Sequence, residues 1–152
     1  MIFIRNANIN DISTIVTFNS AMAMETEGKE LNAELVNLGV ESALNDKEHG
    51  FYLIAENDDI PVGQLMVTKE WSDWRNGKFW WIQSVYVHPD YRGKGIYKQL
   101  YNEVHKLAKS AKNVCGIRLY VEKENINAQK VYSKLGMEKT HYLLFEDDWS
   151  NE

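Results

Sequence analysis

Residues 85–97, Val85-Tyr86-Val87-His88-Pro89-Asp90-Tyr91-Arg92-Gly93-Lys94-Gly95-Ile96-Tyr97, pass from an apolar run through a glycine-rich turn into a helical period. The first N–H groups of a helix lack intrahelical partners and carry partial positive charge, and glycines at 93 and 95 let a ligand approach that backbone closely. Such a turn suits bound phosphates. It is not a Walker A loop, because no Lys-Ser or Lys-Thr follows the glycines, and the third glycine of the dinucleotide pattern is absent. A second concentration of chemistry lies upstream, where Glu70-Trp71-Ser72-Asp73-Trp74-Arg75 and Trp80-Trp81 place four of the five tryptophans within eleven residues. Indole faces beside carboxylates such as Asp73 attract an ammonium by roughly 0.5–2 kcal/mol, which makes Trp71 and Asp73 candidate contacts for a cationic amine. Strand alternation puts at least one of Trp80 and Trp81 in the core. Cys115 has no second cysteine near it and reads as a small apolar filler. His49, His88, His105 and His141 lack metal-ligand spacing, so no metal is expected.

These residues need a scaffold, and 152 residues with 44% hydrophobic and 26% charged composition suit one domain over 1–152 that buries about two thirds of its unfolded surface. One cysteine excludes an intrachain disulfide and fits a reducing compartment. The opening MIFIRNANIN is too short an apolar run for a signal peptide, and no stretch approaches eighteen apolar residues. The expectation is a soluble, cytoplasmic chain with no membrane partner. A formal charge of −5 argues against a nucleic-acid partner. Its distribution is uneven: residues 20–48 hold seven acids and two bases, and residues 92–134 hold ten bases and three acids. The basic part suits an anionic ligand and the acidic part a cationic one, although solvated helix faces account for the same pattern.

Periodicity predicts a short strand at Ile2–Ile4, a helix over Asn10–Met24 ended by Gly28, and a second helix over Asn32–Leu44. Strands follow at Phe51–Ala55, Val62–Thr68 and Phe79–Val87, joined by an Asn57-Asp58-Asp59 turn and a loop ending in Asn76-Gly77. After Gly93, the spacing of Ile96, Leu100, Tyr101, Val104 and Ala108 gives the clearest helix. A strand at Gly116–Val121 is parallel to the one before this helix if the helix is a crossover. A last helix carries Ala128, Val131, Tyr132 and Leu135 up to Gly136, and His141–Phe145 reads as a final strand. The class is α/β, with a mixed, mostly antiparallel sheet and a central βαβ crossover.

Arg92-Gly93-Lys94-Gly95-Ile96-Tyr97 resembles the signature of the GNAT superfamily of N-acetyltransferases: Arg or Gln, two residues, Gly, one residue, then Gly or Ala. Tyr97 departs from it, standing where the family usually has a small residue. Downstream, Asn125, Ala128, Tyr132, Gly136 and Met137 match the family's second pattern. The order of predicted elements fits the same family over nearly the whole chain.

The resemblance implies acetyl-CoA as cosubstrate. Val85, Tyr86 and Val87 would bond the pantetheine arm through their backbone, while Arg92, Gly93, Lys94, Gly95, Ile96 and Tyr97 would hold the diphosphate, with Asn125 a further cofactor contact. The expected activity is acetyl transfer to a primary amine, chosen as a small cationic amine by the acidic segment. Tyr132 is the candidate proton donor to the leaving thiolate, since a phenol donates without being charged at neutral pH. The strand position where polyamine-acetylating relatives carry a basic glutamate is Gln83, which takes no proton. Glu25 and Glu27 rank first as replacement bases and as amine contacts, because the family's acceptor site lies beside the connection of the first two helices. Glu70, Asp73 and Glu122 remain open as water-mediated bases. The resemblance also allows a homodimer. Two alternatives stand beside it: a non-catalytic acyl-CoA binding or sensing module, motivated by Tyr97 and Gln83, and protein or peptide N-acetylation.

Overall fold

The computed structural model describes residues 1–150, so the last two positions of the domain expected over 1–152 lie outside the described residues. The elements run β1 (Ile2–Asn6), α1 (Ile12–Glu27), α2 (Ala33–Asn45), β2 (Phe51–Asn57), β3 (Ile60–Ser72), β4 (Gly77–Val87), α3 (Ile96–Ser110), β5 (Val114–Arg118) and α4 (Ile126–Lys134). The contacts divide the chain into two compact units, Met1–Leu119 and Tyr120–Glu152.

The first unit is built on one sheet of order β1-β2-β3-β4-β5. Its first three pairings are antiparallel and β4 with β5 is parallel, giving the expected mixed α/β sheet. The βαβ unit β4-α3-β5 occupies the end of this order. Tyr52 to Ala55 form an unbroken buried run in β2, which requires cover on both faces of the sheet. On one face, Ile15 of α1 with Val40 and Ala43 of α2 packs on Tyr52 and Ile54. The other cover is α3, whose Ile96, Leu100, Val104 and Ala108 recur every four residues, all buried, against β1 to β4.

Arg5 of β1 fixes where α1 begins. Its guanidinium donates twice to Asp11, at 2.8 Å each, and to Glu56 of β2 at 2.7 Å, while Asp11 also accepts from the Asn8 N–H at 2.8 Å. The Arg5 hydrogen bonds hold the Asp11 carboxyl below the usual carboxylate range, against the opposing effect of burial. The same carboxylates raise the already high pKa of Arg5.

Two sequence expectations are corrected here. The strand expected at Gly116–Val121 spans Val114–Arg118, because its register is set by pairing Lys78 with Val114 through Trp81 with Arg118. In the second unit, α4 forms as expected with Asn125 capping it, but His141–Phe145 forms no strand among the described residues. A largely apolar run becomes a strand only with a ladder partner, and the run itself supplies none.

Candidate active site

The site is generated by an irregularity in β4. Opposite β3 the register runs from Gln64 with Tyr86 to Met66 with Gln83, so Ser84 and Val85 together face Leu65. That is a β-bulge, and Ser84 adopts a φ of 51° within it. Parallel pairing with β5 reaches only from Lys78 to Trp81, and beyond it the outer edge of β4, from Ile82 to Val87, faces no strand among the described residues. Main-chain groups of β4 that point away from β3 on that edge, such as those of Val87, can meet an extended ligand, whereas those of Tyr86 are turned to Gln64 of β3.

The same strand leads into the glycine-rich turn. A short turn at Pro89–Tyr91 is followed by Gly93 and Gly95, both at a φ of 76°, and Gly95 is the N-cap of α3. A Cβ added at either glycine would meet no atom within 4 Å, so this backbone is open to a ligand. No side chain caps α3, leaving its first-turn N–H groups to an external acceptor. Lys94 adds a positive charge, its ammonium 5.1 Å from the Tyr91 ring centre. Tyr97, the departure from the family pattern, has its ring 6.4 Å from that of Tyr101 one turn further on, along α3. The arrangement fits a diphosphate held by main-chain dipoles beside an extended arm held by β4.

Arg92, although exposed, folds back from this turn onto β4 and α1. Its Nε donates to the Val87 carbonyl at 2.8 Å, its Nη2 donates to Glu25 Oε2 at 2.8 Å, and its guanidinium lies over the Tyr86 ring at 5.5 Å. Glu25, expected as a base, thus has one carboxylate oxygen committed to a residue expected to hold phosphate. Glu27 is exposed at the end of α1, and two residues on a helix stand about 200° apart, so the two carboxylates project from opposite sides.

Trp71 and Asp73 lie elsewhere. Arg92 and Glu25 meet at the Val87 end of β4, where Val87 pairs with Gly63, whereas Trp71 pairs with Lys78 at the hairpin tip. The eight residue steps from Gly63 to Trp71 span about 26 Å of strand. The structure therefore does not bring these two groups of expected amine contacts together. Asp73 accepts from the Trp74 N–H, and Glu70 accepts from Arg118 at 2.8 Å and Trp81 at 3.2 Å, so both carboxylates serve local structure. Trp80 is buried edge-on against Phe51, as strand alternation required. Gln83 donates to Thr68 across the β3–β4 ladder.

In the second unit, Asn125 Oδ1 accepts from the Ala128 N–H at 3.1 Å and starts α4, on which Tyr132 stands. Burial pushes the Tyr132 phenol above its ordinary value. Among the described residues no group of three or more His, Cys, Asp or Glu is arranged to hold a metal. No helix there is long and apolar enough to cross a membrane.

Sequence reasoning missed two residues behind the bulge, Asn19 and Gln64, both buried amides. The signal was present. Asn19 interrupts the stripe of Ile15, Val16 and Ala23, and Gln64 interrupts the apolar run Val62 to Val67.

A family model described as the acetyltransferase (GNAT) family matches residues 18–137. Among solved structures, the chain is similar to a possible acetyltransferase from Clostridium difficile 630, at 47% identity over 97% of both chains, with a TM-score of 0.90. It also shares its fold with a predicted acetyltransferase with acetyl-CoA from Clostridium acetobutylicum, at 23% identity over 97% of this chain and 96% of that one, TM-score 0.79. A third similar fold is AAC(6')-Iy in complex with the bisubstrate analog CoA-S-monomethyl-acetylneamine, at 19% identity over 97% and 98%, TM-score 0.77. A search of curated proteins returned no match.

Proposed function

The chain belongs to the acetyltransferase (GNAT) family, and from that premise we propose that it moves an acetyl group from acetyl-CoA to a small, cationic primary amine in the cytoplasm. The observation that carries this reading is the open outer edge of β4 running into the uncapped start of α3 through Gly93 and Gly95. Acetyl-CoA supplies an acyl group activated as a thioester. Val85 and Val87 hold its extended arm by main-chain hydrogen bonds. The N–H groups of residues 93–97 hold its diphosphate, and Lys94 contributes charge. Arg92 shapes this turn from behind.

An N–H beside the bulge donates to the thioester oxygen as negative charge develops there, the kind of fixed donor worth about 10²–10³ in rate. Tyr132 donates its phenolic proton to the departing thiolate, and its raised pKa keeps that proton in place at neutral pH. Asn125 sets the start of the helix that carries Tyr132. Glu27 receives the ammonium of the acceptor and takes one proton, directly or through water. The neutral amine then attacks the thioester carbon, the C–S bond breaks as the sulfur takes the Tyr132 proton, and the second amine proton restores the phenol, while Glu25 holds Arg92.

The test is release of free thiol from acetyl-CoA against a panel of amines, amino acids and peptides. Turnover with small diamines or similar cations supports the reading. Turnover with peptides alone replaces it by protein acetylation. Binding of acetyl-CoA with no thiol release from any acceptor overturns catalysis in favour of a sensing module.

A further inference from the structure

Gln64 is fully buried on β3 and directs a polar amide into a core that an apolar side chain would fill. Its Nε2 donates to Asn19 Oδ1 of α1 at 2.8 Å and to the Ser84 carbonyl of β4 at 3.1 Å, while its buried Oε1 has no hydrogen-bond partner. Both donors are used and the acceptor is idle. A buried amide with an unmet acceptor is costly, so what it grips matters. The gripped carbonyl belongs to Ser84, the left-handed residue of the bulge, where the regular ladder is broken.

The peptide plane transmits this grip. Ser84 C=O and Val85 N–H share one rigid trans amide and point in opposite directions. A carbonyl drawn toward the Gln64 side-chain amide turns the Val85 N–H the opposite way, away from the Gln64 and Asn19 amides. Asn19 takes the second hydrogen of the same amide group and so fixes its rotation. We propose that Gln64 and Asn19 are positioning residues that aim the Val85 N–H at the oxygen of the bound thioester. This inference rests on the acetyl-transfer reading above for its kinetic part and on the bulge alone for its structural part.

Gln64→Met keeps the length and burial of the side chain and removes both donors. The variant is expected to lower kcat for thiol release about 10–100-fold, with the calorimetric Kd for acetyl-CoA within about twofold of the parent. Its Val85 amide signal in a proton–nitrogen correlation spectrum should shift. Asn19→Leu should show the same pattern more weakly, and the double variant should be no slower than Gln64→Met alone, because both act on one carbonyl. If Gln64→Met gives no dispersed spectrum, Asn19→Leu carries the test. An unmoved Val85 signal overturns the brace whatever the turnover, and a moved signal with unchanged kcat overturns its kinetic role. An absence of thiol release from the parent protein overturns the acetyl-transfer reading, and the Val85 signal then still decides whether the brace exists.

Discussion

Glu25→Gln separates two roles for one carboxylate by magnitude. Glu25 Oε2 accepts a 2.8 Å hydrogen bond from Arg92, and the two side chains remain 41% and 46% exposed. An ion pair so open to solvent is worth about 0.2–1 kcal/mol. Glutamine keeps an acceptor oxygen for Arg92 and loses only the charged part of that interaction. The expected outcome is a thermal midpoint lower by no more than about 2–4 °C. Since 1.4 kcal/mol corresponds to tenfold, kcat and the acetyl-CoA Kd should each change less than about fivefold. Loss of a general base would instead cost about 10²–10⁴ in kcat. Steady-state thiol release at saturating donor, run beside Glu27→Gln, reads the difference. Glu27→Gln is expected to show the larger fall in kcat/KM for the amine. A fall of a hundredfold or more in kcat for Glu25→Gln, with Kd unchanged, refutes the assignment of Glu25 to holding Arg92.

Gly95→Asp sets a carboxylate at the start of α3 and a side chain at a φ of 76°; the acetyl-CoA Kd by calorimetry should rise at least tenfold, and equal affinity would move the diphosphate site elsewhere. Tyr132→Phe should lower kcat at least tenfold with acetyl-CoA affinity unchanged, since only the proton donor is lost; an undiminished rate removes the phenol from the reaction. Arg5→Leu strands the buried Asp11 and should cost about 2–3 kcal/mol, lowering the thermal midpoint by about 4–12 °C. Because the folded carboxyl titrates below its unfolded value near 3.8, the pair stabilises the fold above that pH and ceases to do so as pH falls through the folded value. Thermal melts between pH 3 and 7 should therefore show the parent converging on Arg5→Leu at the acid end, and a constant gap would refute the assignment.

The turn at Gly93–Gly95 was legible because its information is local: glycines, a preceding strand and a following helical period occupy thirteen consecutive residues. The bulge that opens β4 was not, since it exists only in the register between β3 and β4 and nothing in Gln83-Ser84-Val85 marks the extra residue. Arg92 could be marked as part of the turn, but its partner Glu25 is 67 positions away, so their pairing is a tertiary fact. The tryptophan cluster misled for a related reason. Indoles beside carboxylates made Trp71 and Asp73 look like amine contacts alongside Glu25 and Glu27, and the length of the strand carries them away from that helix end. Asn19 and Gln64 interrupt apolar patterns in the sequence, but what the Gln64 amide holds cannot be read until its two partners, Asn19 and the Ser84 carbonyl, are located.

The three engagements of Arg92 also define what a replacement there must supply. One side chain reaches the Val87 carbonyl with Nε, Glu25 with a different nitrogen, and lies over the Tyr86 ring at 5.5 Å. Lysine preserves the charge but offers a single rounded ammonium on a flexible stem. It cannot reproduce two divergent hydrogen bonds and the contact with the ring at once. For anyone redesigning this turn, shape rather than charge is what position 92 has to conserve.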